Sequence, residues 1–553
     1  MKFFSSAIAA FAFAVSALAQ IDVPGAVPKN PLEPLQHRLA YAGPTGMTVS
    51  WNTYAEIKKP EVHYGENVWD LSSVAYGSSN TYETSPTWAN HVTIYGLKPD
   101  TTYYYTVSHT NCYNCSEIPA YTFTTARPRG DFTPYTAAVV IDMGVMGEFG
   151  ESAASEADTG AFTASDSSTM QSLSQFRDGF ELLLHPGDLA YADSWLTEYL
   201  HGYLNITLDE GVEMYNLLLN QFFDEMQPVT SVRPYMVGPG NHESNCDEGG
   251  KTYNGVTYDL SICPEGQRNF TYYKNYFSMP GEESGGVDNF WYSFDHGMVH
   301  YVMIDTETDL GNGLVGDDET ASGEDMDSGP FGSYENEQID WLENDLANVD
   351  RSLTPWVIVS GHRPWYASAD NDSTCANCQT AFEPLLVKYN VDMVFYGHIH
   401  MYERNDPVAY GVVDPNGLND PSAPMYILNG LGGHYHGTDD YSLPLTEYSR
   451  YLQNETYGWS RLTFHNCTHV THDFIASANG TVLDSATLYK NHGCSTSSSS
   501  STSITTTSNY TSNYTANSTV PSVATVTTNA AGITGVPSIM LAVTLVTVLI
   551  AFL

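Results

Sequence analysis

Five short patches each close an apolar, mostly β-type run with side chains that can bind a metal. They read VVIDMG with Asp142, HPGDLAYAD with Asp188 and Tyr191, VGPGNHE with Asn241 and His242, VIVSGHRP with His362, and VFYGHIH with His398 and His400. Polar groups that emerge where buried parallel strands stop are where α/β sheets build their sites. With His242 set aside, three His, two Asp, one Asn and one Tyr give seven donors, too many for one ion. They suit two hard or borderline metals that share a bridging carboxylate. Taken singly, each residue has a plainer reading: a structural His, a strand-end cap at Asp142, a turn at Asn241, a core Tyr191. The weight comes from all seven falling in ordered motifs.

The elements that must position these residues are legible in outline. Residues 36–127 read as an all-β module, with MTVSW alternating around Trp51 and further strands at VHYG, HVTIYGL and YYYTVSH. Its stretch from Leu97 to Tyr105 resembles the tyrosine-corner region of fibronectin type III domains. Its expected role is a spacer packed on the rest of the chain. ARPRG (126–130) reads as a linker, and the catalytic part is expected over 134–490. Helical patterns precede three of the motif strands: MQSLSQF, EMYNLLLNQFFDEM and ENEQIDWLENDLANV, the last with Ile339, Leu342 and Leu346 on one face. Residues 291–307 read as a hairpin turning at Asp295-His-Gly297. From Pro424 the chain is β-rich again through MYILNG, WSRLTFH, HVTHDFIA and TVLDSATLYK, ending near Lys490.

In their order, the five patches resemble the motifs of the purple acid phosphatases, within the calcineurin-like metallophosphoesterases: D-x-G, G-D-x-x-Y, G-N-H-E/D, V-x-x-H and G-H-x-H. The likeness covers about residues 30–490. Tyr191, three residues past Asp188, separates this family from metallophosphatases that lack a phenolate ligand. The resemblance implies an α/β fold, an α/β/β/α metallophosphoesterase sandwich preceded by a fibronectin III-like sandwich. It implies that Asp142, Tyr191 and His400 hold Fe(III), that Asn241, His362 and His398 hold a divalent Zn, Mn or Fe, and that Asp188 bridges them. Anionic oxygen donors suit the harder ion; an amide and two imidazoles suit the divalent one. A metal pair acidifies a bound water, so hydroxide attack on phosphorus is expected even below neutral pH. His242 is expected to contact phosphate or protonate the leaving alkoxide, with Glu243 either orienting it or lying at the surface.

Two departures stand out. Ile141 replaces the family's Gly before the first Asp, which should affect packing more than ligation. Plant members carry substrate-contacting His soon after V-x-x-H, but residues 363–390 contain none. His434 and His436 in GLGGHYHG, or Arg363 beside His362, are candidates for that gap; Arg363 could equally pair with a core carboxylate. The implied function is a secreted or cell-surface acid phosphatase acting on phosphate monoesters. A phosphodiesterase or sphingomyelinase-like activity is the alternative, opposed by Tyr191 and the β module. A non-catalytic cell-wall glycoprotein is opposed by the intact ligand set.

Composition limits the partners. The 553 residues carry 20 basic and 64 acidic side chains, a formal net charge of −44. Binding to nucleic acid or to acidic membrane surfaces by charge is excluded. Residues 1–19 read as a secretory signal, with Lys2, an apolar core and an Ala17-Leu18-Ala19 cleavage site. Secretion permits disulfides. By proximity the eight Cys pair as Cys112 with Cys115, Cys246 with Cys263, Cys375 with Cys378, and Cys467 with Cys494; the two C-x-x-C pairs also admit zinc. Glycosylation sequons stand at Asn114, Asn205, Asn269, Asn371, Asn454, Asn466 and Asn479, with Asn509, Asn513 and Asn517 in the tail. Residues 495–530 form a Ser/Thr-rich stretch suited to O-glycans. Residues 538–553 are uncharged and apolar, with no basic flank after them and small residues at Asn529-Ala530-Ala531 upstream. That pattern resembles a GPI-attachment signal, hence membrane association through a lipid anchor; a tail anchor or single span is the alternative.

Overall fold

The computed structural model describes residues 27–108, 120–145, 167–202, 204–244, 252–253, 256–258, 262–312, 314, 331–369, 374–433, 437–441 and 443–493. The signal, the Ser/Thr stretch and the apolar tail lie outside these residues, as do His434, His436, Asn114, Asn371, Cys112, Cys115, Cys246 and Cys494.

The N-terminal module is two four-stranded antiparallel sheets. Its four anticipated strands are present as Met47–Thr53, Glu61–Gly65, Trp88–Ile94 and Thr102–Ser108. The tyrosine corner is formed: Tyr103 Oη accepts the Lys98 N–H at 3.1 Å. Met47–Thr53 is buried on both faces rather than one. The outer sheet layer leans on the long helix Gly211–Thr230, and polar contacts lock the join. Gln36 Nε2 reaches Asn220 and Asp224 at 3.0 Å, and Tyr105 Oη donates to Ser231 O at 2.8 Å. The module and the catalytic part therefore pack as one compact unit, as a docked spacer should.

Two mixed sheets face each other in the catalytic part. One runs Tyr235–Gly238, Leu183–Pro186, Tyr135–Val139, Gly458–Asn466, His469–Ala476, Val482–Tyr489, parallel across its first three strands and antiparallel after. The other runs Tyr292–His296, Val299–Met303, Trp356–Ser360, Met393–Tyr396, Met425–Asn429, Tyr402–Asn405, Ser449–Gln453, with its middle four strands parallel. Rings from both interdigitate: Phe464 of the first sheet meets Trp356 and Tyr301 of the second at 6.4 and 6.3 Å, and Tyr402 stacks on Phe474 at 4.1 Å. Continuous apolar runs, not alternation, mark strands covered on both faces.

The three anticipated helices are present as Thr169–Phe176, Gly211–Thr230 and Glu337–Asn348. In the last, Leu342 and Leu346 are buried while Ile339 is only partly covered. Ala376–Lys388 is a further helix that the pattern hid, because Pro384 sits inside it. The hairpin turns later than expected: His296 pairs with Val299, so Gly297 and Met298 make the bend. Cys375 and Cys378 are joined in a disulfide at the start of the helix Ala376–Lys388, which rules out zinc for that pair. Cys263 is in a disulfide, and so, separately, is Cys467. Asn205, Asn269, Asn466 and Asn479 are exposed and Asn454 is half-buried. Among the described residues, no helix is long and apolar enough to cross a membrane.

Candidate metal centre

Five strand ends deliver the site. Asp142 follows Tyr135–Val139, Asp188 and Tyr191 follow Leu183–Pro186, and Asn241 with His242 follow Tyr235–Gly238. From the facing sheet, His362 follows Trp356–Ser360, and His398 and His400 follow Met393–Tyr396. Parallel register aligns these ends; Pro186 lies opposite Gly238, which sets the Asp188 loop beside Asn241. The loops are tight. Asp142, Asp188, Tyr191 and His398 have φ of 59, 48, 46 and 70°, a left-handed conformation that L side chains avoid unless the surroundings impose it. Gly397 leaves room for the same corner: a Cβ there would lie 2.1 Å from Asp142 Oδ2 and 2.4 Å from Ile141 Cγ2. Ile141, which replaces the expected Gly, is thus accommodated as buried packing.

All seven anticipated ligands come together in two adjoining sets. Tyr191 Oη lies 2.8 Å from Asp142 Oδ1, 3.1 Å from Asp188 Oδ2 and 3.0 Å from His400 Nε2. A phenol has one proton and can donate to only one of the two carboxylates at a time, whereas a cation among the four donor atoms satisfies all of them. In the second set, His362 Nε2 lies 3.0 Å from Asp188 Oδ2 and 3.0 Å from Asn241 Oδ1, and His398 Nδ1 lies 2.9 Å from the same amide oxygen. Asp188, His362 and His398 each offer one atom within a 4.8 Å sphere of separations. Asp188 Oδ2 belongs to both sets. The donor chemistry thus fits two ions, oxygen-rich on one side and nitrogen-rich on the other.

Burial raises the Tyr191 phenol well above its ordinary pKa, and the charges of Asp142 and Asp188 push it further. A phenolate in this place therefore needs a strongly acidic cation. Burial would also raise the Asp188 carboxyl, but the imidazoles of His362 and His242 outweigh it and hold the group well below the usual range. Outer contacts fix the ligands. Asp142 Oδ2 accepts the His398 N–H at 2.8 Å, Asp188 Oδ1 accepts the His242 N–H at 3.0 Å, and Asp439 Oδ2 accepts the His400 N–H at 2.6 Å. His362 turns Nδ1 to Pro186 O at 3.3 Å, leaving Nε2 for the site.

Residues 34–125 match the family model described as purple acid phosphatase, N-terminal domain, residues 163–402 match calcineurin-like phosphoesterase, and residues 423–485 match iron/zinc purple acid phosphatase-like protein C. The chain is 40% identical to acid phosphatase A of Cryphonectria parasitica over 87% of its own length and 96% of the relative's. This chain belongs to the purple acid phosphatases. It is 34% identical to an acid phosphatase of Aspergillus ficuum, covering 81% of this chain and 85% of that one. It is 30% identical to a probable purple acid phosphatase of Arabidopsis thaliana, with 80% and 83% covered. The solved purple acid phosphatase of yellow lupin seeds superposes with a TM-score of 0.64 over 86% of this chain and 79% of that one; at 22% identity this likeness speaks for the fold. As a purple acid phosphatase the chain is a phosphoric ester hydrolase, and its donor set supports a dimetal centre.

The purple acid phosphatase site also corrects the sequence reading. Glu243 does not touch His242. Its carboxylate accepts N–H groups from Asp188, Leu189 and Gly240 at 2.8–3.0 Å and the Tyr272 hydroxyl at 2.6 Å. It braces the backbone at Asp188 and Leu189. Burial, then the Asp188 charge, raises its pKa to about 8. His242 is held instead by Asp193, whose Oδ2 lies 2.6 Å from Nδ1, and by the Tyr191 ring at 4.3 Å. Asp193 was in view within HPGDLAYAD, but nothing local tied it to His242. Arg363 lies beside the nitrogen-rich set, paired with buried Glu307 at 2.8 Å.

Proposed function

We propose that this enzyme hydrolyses phosphate monoesters under acidic conditions, with Asp142, Tyr191 and His400 holding Fe(III), Asn241, His362 and His398 holding a divalent ion, and Asp188 shared. The observation that carries the reading is the convergence of two carboxylates and an imidazole on the one Tyr191 hydroxyl, adjoining an amide–imidazole set. When bound, such a metal pair supplies positive charge for the phosphoryl oxygens and acidity for the attacking water. The protein's own part is proton delivery and positioning. His242, with Nδ1 bound to Asp193, turns Nε2 towards the bridging carboxylate, 4.0 Å away, and there donates a proton to the departing alkoxide oxygen. Glu243 holds the Asp188 backbone rigid through three N–H contacts. The test is metal content, visible spectrum and hydrolysis of mono- and diesters by purified enzyme. A phenolate-to-Fe(III) band is expected, lost in Tyr191→Phe, and a colourless, iron-free, fully active wild type would overturn the assignment.

Secretion, N-glycosylation and retention at the cell surface belong to the same reading. They rest on the signal-like residues 1–19, the sequons and the apolar 538–553. A chain cut after Asn517 retains every proposed ligand, so it is expected to be active and soluble. Phosphatidylinositol-specific phospholipase C should release the full-length form from membranes. Retention of residues 538–553 in the mature protein by mass spectrometry would refute the lipid anchor.

A further inference from the structure

Arg363 is poorly explained as a structural residue. It directly follows His362, and both backbone N–H groups donate to Thr306 Oγ1, at 2.9 and 3.2 Å. Only 7% of the residue is exposed, and its Nε donates to Glu307 Oε2 at 2.8 Å. That contact uses one of five N–H bonds. Nη1 ends 3.5 Å from His398 Nε2, and buried Nη2 has no hydrogen-bond partner. Folded proteins seldom leave a buried guanidinium N–H unsatisfied, because the group loses water without compensation.

His398 sharpens the point. Its Nδ1 faces the ligand set, 2.9 Å from Asn241 Oδ1. With Nδ1 engaged as a ligand, the ring hydrogen sits on Nε2. Arg363 Nη1 and His398 Nε2 are then both donors and cannot satisfy each other. Two donors and an orphaned third border one spot beside the nitrogen-rich half of the centre. What they lack is an anionic oxygen, and a planar guanidinium fork suits an oxyanion.

We propose that Arg363, braced by Glu307, grips the third non-ester oxygen of a phosphate monoester and thereby sets the preference for monoesters over diesters. A monoester has three such oxygens and a diester two, so only the monoester has one for this corner. The inference rests on the monoesterase reading above and assigns its specificity to one side chain.

The test uses the metal-loaded, full-length enzyme. Arg363→Met alone strands Glu307 as an unpaired buried charge and endangers the fold. The informative variants are therefore Arg363→Lys, which keeps a cation without the fork, and the double variant Arg363→Met with Glu307→Gln. Assays are p-nitrophenyl phosphate, bis-p-nitrophenyl phosphate, and inorganic phosphate binding followed by the shift of the visible band. For the double variant, monoester KM and the phosphate Kd are expected to rise about 10–100-fold. Arg363→Lys should fall between it and wild type, and diester kcat/KM should change far less in both. Folded, metal-loaded variants with wild-type phosphate affinity, or with equal losses on both esters, overturn the proposal. A wild type that hydrolyses no monoester fails the parent reading instead, and phosphate binding then separates the two.

Discussion

Replacing Asp193 with Asn keeps the shape of the His242 support and removes only its charge. The Asp193 Oδ2 to His242 Nδ1 distance is 2.6 Å, and the two side chains are 0% and 9% exposed. A desolvated, charge-assisted hydrogen bond of this kind contributes ~1.5–3 kcal/mol, and a neutral amide acceptor in its place retains ~1 kcal/mol. The net loss is then about 0.5–2 kcal/mol, or roughly 2–30-fold in rate if it falls on proton donation in the transition state. Proton donation matters when the leaving alkoxide is basic. Asp193→Asn should therefore lower kcat roughly 2–30-fold for an alkyl phosphate and by a clearly smaller factor for p-nitrophenyl phosphate, whose leaving group needs little help. Metal content and the visible band should stay at wild-type values, since Asp193 Oδ2 holds His242, which is not among the proposed ligands. Steady-state kinetics on the two esters, with metal analysis of the same preparations, read this directly. Equal loss on both esters, or loss of iron, would show that Asp193 supports the centre as a whole and not the acid.

Gly397→Ala should lower both metal occupancy and stability, because the new Cβ would lie 2.1 Å from Asp142 Oδ2; wild-type iron per chain and an unchanged Tm would contradict the close-packing argument. Asp188→Ala should remove both ions, since its Oδ2 lies within reach of Tyr191 and His362 alike; retention of one ion at full stoichiometry would deny the bridging role. His300 gives a pH signature away from the site. Burial opposes its charge, but hydrogen bonds to Asp295 at 2.7 Å and Asp345 at 2.8 Å raise its pKa from 6.5 to about 9. A folded pKa above the unfolded one stabilises fully below pH ~6.5, and that contribution, on the order of 3 kcal/mol, fades as pH rises through ~9. The Tm gap between wild type and His300→Gln should therefore shrink from pH ~6 to ~9.5, and a gap that widens instead would refute the ion-pair account.

Much of this enzyme is written in short stretches of sequence. Each ligand motif is contiguous and closes an apolar run, so donor type and strand end could be read together. That sufficed to pick out the seven side chains that converge at one place, the tyrosine corner at Tyr103 and three helices with clear apolar periodicity. Where local signals conflicted, the reading failed: Pro384 masked the helix Ala376–Lys388, and nothing in MYILNG distinguished a parallel strand of one sheet from the antiparallel strands that follow it in the other.

The tertiary structure alone decided which carboxylate serves which group. Glu243 adjoins His242 in sequence yet braces the Asp188 loop, while Asp193, 49 positions away, holds the imidazole. Parallel pairing of Leu183–Pro186 with Tyr235–Gly238 sets those two loops side by side, and side-chain direction in a left-handed turn does the rest. Likewise Glu307 meets Arg363 because Val299–Met303 and Trp356–Ser360 run in parallel register, so their following loops share one edge. Residue chemistry and strand-end position are local properties that a sequence displays. Partnership between loops depends on register, backbone handedness and burial, which exist only once the sheets have formed.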